Sequence, residues 1–87
     1  AIEEFPQNAE LRKNRGNLNL LLGLHRKAID DYTQAIALND NYAEAHYNRA
    51  LAFFLIYDKI SGCVDLDKSI DLGYEIAVKT RDYFCTE

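Results

Sequence analysis

The sequence lacks a run of apolar residues long enough to cross a membrane as a helix. Its longest such run, residues 50–57, is far shorter than the roughly 20 residues that a bilayer span needs. No basic segment followed by an apolar one opens the chain, so the pattern of a secretory signal is missing too. We therefore expect a soluble chain without a membrane span and, because it does not begin with Met, a processed chain or a piece of a longer one.

Basic residues are too few for a nucleic-acid-binding surface. Ten Lys and Arg stand against fourteen Asp and Glu, and the resulting net charge of −4 attracts neither a phosphate backbone nor an anionic membrane. Proline is also scarce. With one Pro and 48% apolar residues, the 87-residue chain has the composition of a single folded domain. We expect its partner to be another protein or a peptide, and not nucleic acid.

Clusters of catalytic or metal-binding residues are lacking as well. His25 and His46 are isolated, and no Ser or Cys lies in a motif typical of a nucleophile. Residues 65–71 have the oxygen spacing that begins a calcium loop, but Ile70 stands where that loop needs Gly and Ile76 where it needs Glu. We expect no enzyme, no cofactor and no metal site.

The chain repeats itself at a shift of 34 residues, which is the period of a helix–turn–helix unit. The shift superposes Ala9 on Ala43, Glu10 on Glu44, Asn14 on Asn48, Arg15 on Arg49, Asp31 on Asp65, Ile36 on Ile70 and Leu38 on Leu72. The amphipathic spacing of apolar residues predicts five helices, at 9–22, 25–38, 43–56, 59–72 and 75–85. Gly23 and Gly73 suit helix ends, and Asp58 suits a helix start. Short connections make neighbouring helices antiparallel hairpins.

On these residues the chain resembles the tetratricopeptide repeat (TPR) family. Residues 9–42 and 43–76 are similar to two consecutive repeats. The small residues of the family pattern are Gly16 and Ala50, Ala28 and Gly62, Ala35 and Ser69, and its large residues are Tyr32 and Leu66. Asn-Arg-Gly at 14–16 and Asn-Arg-Ala at 48–50 resemble the bacterial-type repeats of this family.

This resemblance implies an all-α fold in which antiparallel helical hairpins stack as a short right-handed superhelix. Residues 1–8 resemble the end of a preceding repeat, comprising its second helix and loop, and residues 75–87 resemble a C-terminal capping helix. We expect the cap to be apolar on one side, at Ile76, Ala77, Tyr83 and Phe84, and charged on the other.

The family resemblance also implies a protein-interaction scaffold or adaptor, because the first helix of each TPR repeat lines a concave groove that holds a peptide or a partner helix. The groove residues expected here are Lys13, Asn14, Asn17, Leu20, Leu21, Tyr47, Asn48, Leu51, Phe54 and Leu55. Leu20, Leu51 and Leu55 fit equally well as core residues between adjacent helices.

Two other interaction modes stay open. The first is homo-oligomerisation through the end helices, because a half repeat is too short to cover Leu11, Leu18, Leu22 and Leu24. The second is the carboxylate clamp that some TPR domains use as co-chaperones. Lys13, Asn17 and Asn48 match its first three positions, whereas Val78 and Asp82 stand at the other two, where Asp repels a carboxylate. Lys79 and Arg81 are one residue out of register.

Two Arg–Asp pairs recur at the repeat period. Arg15 and Asp31, and likewise Arg49 and Asp65, lie almost symmetrically about the turn of their hairpin. We expect each pair to form a salt bridge within its hairpin, which makes these Arg residues structural.

The two cysteines, Cys63 and Cys85, lie at similar distances from the turn at Gly73, so antiparallel helices bring them to the same level. They are either two separate thiols, as is usual in a reducing cytosol, or a disulfide. The ending of the chain resembles small TPR proteins of the bacterial cell envelope, a compartment in which a disulfide can persist. The location is accordingly the bacterial cytoplasm or the periplasm and cell envelope, the latter if the cysteines are bonded.

Overall fold

The computed structural model describes residues 4–85, with side chains described from residue 8 onward. Over this range the chain forms five helices and no strand. They are α1 (Glu4–Leu21), α2 (His25–Leu38), α3 (Ala43–Leu55), α4 (Lys59–Asp71) and α5 (Ile76–Phe84). The predicted all-α hairpin architecture is confirmed, and the last four helices begin and end within a residue of their predicted bounds.

The prediction for the start of the chain was wrong. Residues 4–8 do not form the loop of a preceding repeat, because α1 already begins at Glu4 and continues through them. Pro6 lies in the first turn of α1, where a backbone N–H has no partner within the helix and proline is therefore tolerated. Residues 1–3 of the expected remnant lie outside the described residues.

Helix packing follows the order of the chain. Each helix packs on the next, and α1 also touches α3, so the first helices of the two hairpins lie side by side. Small residues permit this close approach. Ala9, Ala35 and Ala45 are fully buried where α1, α2 and α3 meet. Gly16 is in closest contact with the ring of Tyr32, because an added Cβ would lie 2.7 Å from Tyr32 Cε1.

Three of the four turns between the helices contain a residue with a positive φ. The turn after α1 has Gly23 at φ +79°, and the turn after α4 has Gly73 at φ +92°. The turn after α3 has Tyr57 at φ +66°, at the position equivalent to Gly23. Asp58 then begins α4 as predicted, with its carboxylate accepting a hydrogen bond from the Ser61 N–H.

Candidate functional site

The two Arg–Asp pairs lie inside their hairpins. Arg15 Nη2 is 2.8 Å from Asp31 Oδ1, and Asn19 donates to the other oxygen of the same carboxylate. Arg49 is bidentate, with Nε 2.7 Å from Asp65 Oδ2 and Nη2 2.8 Å from Asp65 Oδ1. Each guanidinium group is therefore held by a carboxylate on the second helix of its hairpin, with the Arg15 side chain 54% exposed.

A buried histidine joins the second of these pairs, which the sequence analysis did not foresee. His46 Nδ1 lies 3.5 Å from Asp65 Oδ1, and His46 Nε2 lies 3.1 Å from the Asp40 carbonyl oxygen. Burial acts to raise the pKa of Asp65, but hydrogen bonds from Arg49 and His46 outweigh it and hold that pKa below its ordinary value of 3.8. The repeat gave no signal for this contact, because the equivalent residue of the first hairpin, Arg12, donates to Gln34.

An asparagine pair joins the two groove helices. Asn48 Nδ2 on α3 donates to Asn17 Oδ1 on α1 over 3.0 Å, and the Tyr32 hydroxyl donates to the same oxygen. The other amide atoms, Asn17 Nδ2 and Asn48 Oδ1, have no partner among the described residues. Both residues are half-buried, and no fully buried polar side-chain atom of the described residues is unpaired, so these two atoms keep some exposure to solvent. One donor and one acceptor thus lie close together between α1 and α3.

Lys13 is also placed between α1 and α3, but its charge is already matched. Its Nζ lies 3.3 Å from Glu44 Oε1 and 5.8 Å from the centre of the Tyr42 ring, and only 8% of the residue is exposed. Burial acts to lower the pKa of Lys13, but the hydrogen bond with Glu44 and the nearby Tyr42 outweigh it and raise that pKa. This ion pair lies one helical turn before the asparagine pair on both helices.

The remaining predicted groove residues divide into two groups. Tyr47, Phe54 and Leu20 hold helices together: the Tyr47 hydroxyl is 2.9 Å from Thr80 Oγ1 on α5, Phe54 stacks on Phe84, and Leu20 packs beside Tyr32. The other four residues have more solvent access: Asn14, Leu21 and Leu55 are exposed and Leu51 is half-buried. The accessible, unpaired polar atoms of the expected groove are therefore those of Asn14, Asn17 and Asn48.

The structure joins Cys63 and Cys85 by a disulfide, with their Cα atoms 6.0 Å apart. Cys85 follows the last residue of α5 and packs beside the buried Ala50, Leu66 and Ala77. The bond therefore ties the end of α5 to α4. The other expectation for this helix was only partly right, because Ala77 is its one buried residue while Ile76 and Tyr83 are exposed.

The two remaining clamp positions lie on α5, and the leucines considered for self-association lie on α1 and in the turn after it. The expected clamp positions on α5 carry Val78, which is exposed, and Asp82, while Arg81 pairs with Asp67. Leu11, Leu18, Leu22 and Leu24 are all exposed. Within the described range, no group of three or more His, Cys, Asp or Glu side chains is arranged to hold a metal ion. Of the helices described here, none has the length and hydropathy to span a bilayer.

Comparison with known proteins supplies a context for this geometry. Residues 24–56 match the sequence model of a family described as TPR repeat. The human and mouse proteins named DnaJ homolog subfamily C member 7 are each 23% identical over 83 residues, covering 95% of this chain. The chain spans 17% of the length of these relatives.

A solved structure is similar over most of the fold. It is described as the first TPR of Spaghetti (RPAP3) bound to the HSP90 peptide SRMEEVD. The match has a TM-score of 0.76 and 27% identity, and covers 77% of this chain and 53% of the other.

Proposed function

The chain belongs to the tetratricopeptide repeat family, and we propose that it is a protein-interaction module that binds a peptide in the groove between α1 and α3. On this proposal residues 9–42 and 43–76 are the two repeat units, and residues 75–87 cap the second. The expected groove residues keep this role, with Asn17 and Asn48 as its centre.

The observation that carries the proposal is the pair of free amide atoms in the groove. Asn17 Nδ2 offers a hydrogen bond, and Asn48 Oδ1 accepts one. A peptide main chain presents a C=O and an N–H at each residue, so two adjacent side-chain amides can bind it whatever its side chains are. The mutual bond between Asn17 and Asn48 fixes both amides before the peptide arrives, which lowers the entropy lost on binding.

The similar structure supports a peptide as the ligand, because that TPR domain is described as bound to SRMEEVD. This peptide also supports a second candidate, the carboxylate clamp, for which Lys13, Asn17 and Asn48 supply three of five positions. Against the clamp, Glu44 already pairs with Lys13, and Val78 and Asp82 stand where basic residues are needed.

Binding to displayed peptides tests the proposed function. Peptides selected from a random library on the wild-type chain are measured against Asn48→Ala and against Asn41→Ala, an exposed Asn outside the groove. We expect Asn48→Ala to weaken binding about fivefold, since a hydrogen bond contributes about 1 kcal/mol, and Asn41→Ala to leave it unchanged. Equal peptide affinities of the two variants would contradict binding in the groove.

Homo-oligomerisation remains the alternative, supported by the exposed leucines of α1 and the following turn. Sedimentation over a range of concentrations distinguishes self-association from peptide binding, because self-association raises the mass with concentration whereas a peptide-binding monomer keeps one mass.

The disulfide also bears on the location of the protein. Disulfides persist in oxidising compartments, which favours the cell envelope over the cytoplasm among the two expected locations.

A further inference from the structure

An aromatic cleft lies where the turn after α3 meets the end of α5. Phe54, Tyr57, Lys59 and Phe84 line it, and its volume is about 340 Å³. The expected groove includes Phe54 but none of the other three residues, so the cleft is an additional surface.

Tyr57, one of the lining residues, has an unfavourable backbone conformation. Its φ of +66° is in the left-handed region, which a side chain with a Cβ adopts at a cost in free energy, and the equivalent residue of the first hairpin is Gly23. The side chain makes no hydrogen bond or ring contact among the described residues, and 94% of the residue is exposed. A strained residue with an unused aromatic ring suggests a role in binding.

The opposite wall of the cleft is preformed. The rings of Phe54 and Phe84 stack with centroids 4.3 Å apart and planes 11° from parallel. Phe54 also lies against Gly62, where an added Cβ would come within 2.6 Å of Phe54 Cε1. The disulfide joins Cys63 to Cys85, the residues that follow Gly62 and Phe84, so it holds both sides of the stack.

The charge at the cleft selects its occupant. Lys59 is exposed, and its ammonium group has no hydrogen-bond or ion-pair partner among the described residues. The nearby Asp58 carboxylate already accepts the Ser61 N–H. Asp58 does not line the cleft, and Lys59 is the one charged residue among the four lining residues, so the cleft matches an apolar side chain next to one carboxylate.

We propose that this cleft binds an aromatic or large aliphatic side chain of a partner peptide whose next residue is Asp or Glu, with Lys59 pairing with that acidic side chain. A side-chain carboxylate fits better than a chain terminus, because the cleft offers one cationic donor rather than several. The inference rests on the proposed function, since the cleft would take one side chain of the peptide that the groove holds.

The probe is N-acetyl-phenylalanyl-glutamate amide, titrated into the ¹⁵N-labelled chain with its disulfide intact. A dipeptide spans about 7 Å, whereas Asn48 lies six residues, or about 9 Å, along α3 from Phe54. The dipeptide therefore tests the cleft apart from Asn48 and the asparagine pair. We expect amide shifts at Tyr57, Lys59 and Phe84. Replacing Glu by Gln in the probe should weaken binding about two- to fivefold, and replacing Phe by Ala should weaken it about fivefold or more.

The variants are Tyr57→Gly, which relaxes the backbone, and Lys59→Gln, with Lys27→Gln as its control because Lys27 is an exposed residue of α2. We expect both cleft variants to lower the affinity, the thermal transition of Tyr57→Gly to stay equal or rise, and Lys27→Gln to bind as the wild type does. Three results would overturn the proposed binding site in the cleft: no amide shifts, unchanged affinity in Tyr57→Gly, or shifts centred on Asn48. The last of these results would still support the groove.

Discussion

Asn48 on α3 donates a hydrogen bond to Asn17 on α1 over 3.0 Å, joining residues that are 31 positions apart in the sequence. This bond fixes the spacing of the two groove helices at the point where one amide donor and one amide acceptor are left free. The structural contact and the proposed binding site are therefore the same pair of residues.

Removing the carboxylate of Glu44 should strengthen binding of an acidic peptide. In the native chain Glu44 holds the ammonium group of Lys13, so an incoming carboxylate competes with it. We expect Glu44→Gln to raise the affinity for an acidic, fluorescein-labelled peptide selected on the wild-type chain about two- to fivefold, the range of a partly exposed ion pair. Fluorescence polarisation measures this change. Glu10→Gln is the matched control, because Glu10 is the exposed equivalent of Glu44 in the first repeat, and an equal gain there would indicate a general charge effect.

Acid should destabilise the fold through Asp65. A carboxyl group whose pKa is lower in the folded than in the unfolded chain stabilises the fold fully above its ordinary pKa, here 3.8, and loses that contribution as pH falls through the folded pKa. We expect the free energy of unfolding to fall below about pH 4 and the side-chain ¹³C signal of Asp65 to titrate below pH 3.8. Arg49→Lys, which removes the bidentate pair, should move that titration upward. A native Asp65 titration at or above 3.8 would contradict the assignment.

Filling the space at Gly16 should destabilise the first hairpin. An added Cβ would lie 2.7 Å from Tyr32 Cε1, and Tyr32 is fully buried, so the ring has little room to move. We expect Gly16→Ala to lower the free energy of unfolding by about 1–3 kcal/mol, although alanine is the better helix former. Urea unfolding measures the loss. Asn14→Ala, at an exposed position of α1, is the control and should be neutral or slightly stabilising.

Reduction should loosen α5. The disulfide joins residues 22 apart, and closing a loop of about this length stabilises a small domain by about 3 kcal/mol. We expect a reductant to lower the unfolding midpoint of the wild type and to leave that of Cys85→Ala unchanged. A thiol titration of the unfolded, unreduced protein should find no free thiol, and finding two would contradict the bond.

The helices could be predicted from the sequence because the 34-residue period and the apolar spacing constrain the same boundaries. The start of α1 was missed, since residues 1–8 were interpreted as the end of a preceding repeat although a proline such as Pro6 also fits the first turn of a helix. The burial of Lys13 was missed for a different reason. Its pairing with Glu44 depends on how closely α1 approaches α3, and no local pattern encodes that distance.

The positions of His46 and Tyr57 in the fold could not be predicted from either residue alone. A lone His gives no spacing signal, so the place of His46 beside Asp65 emerges only when the two helices of the hairpin are packed. Tyr57 gives no sign of a binding role in the sequence, because an exposed tyrosine in a turn is ordinary and only its positive φ distinguishes it.

The most direct test of the groove is the response of its side-chain amides to a library-selected peptide. In ¹H–¹⁵N spectra the Nδ2 signals of Asn17 and Asn48 report on the two residues that are proposed to contact the peptide main chain, and Nδ2 of Asn41 is the internal reference. We expect the signals of Asn17 and Asn48 to shift in proportion to the bound fraction and that of Asn41 to stay unchanged. Saturation by the peptide with both groove signals unmoved, and the largest shifts on α2 or α4, would contradict binding in the groove.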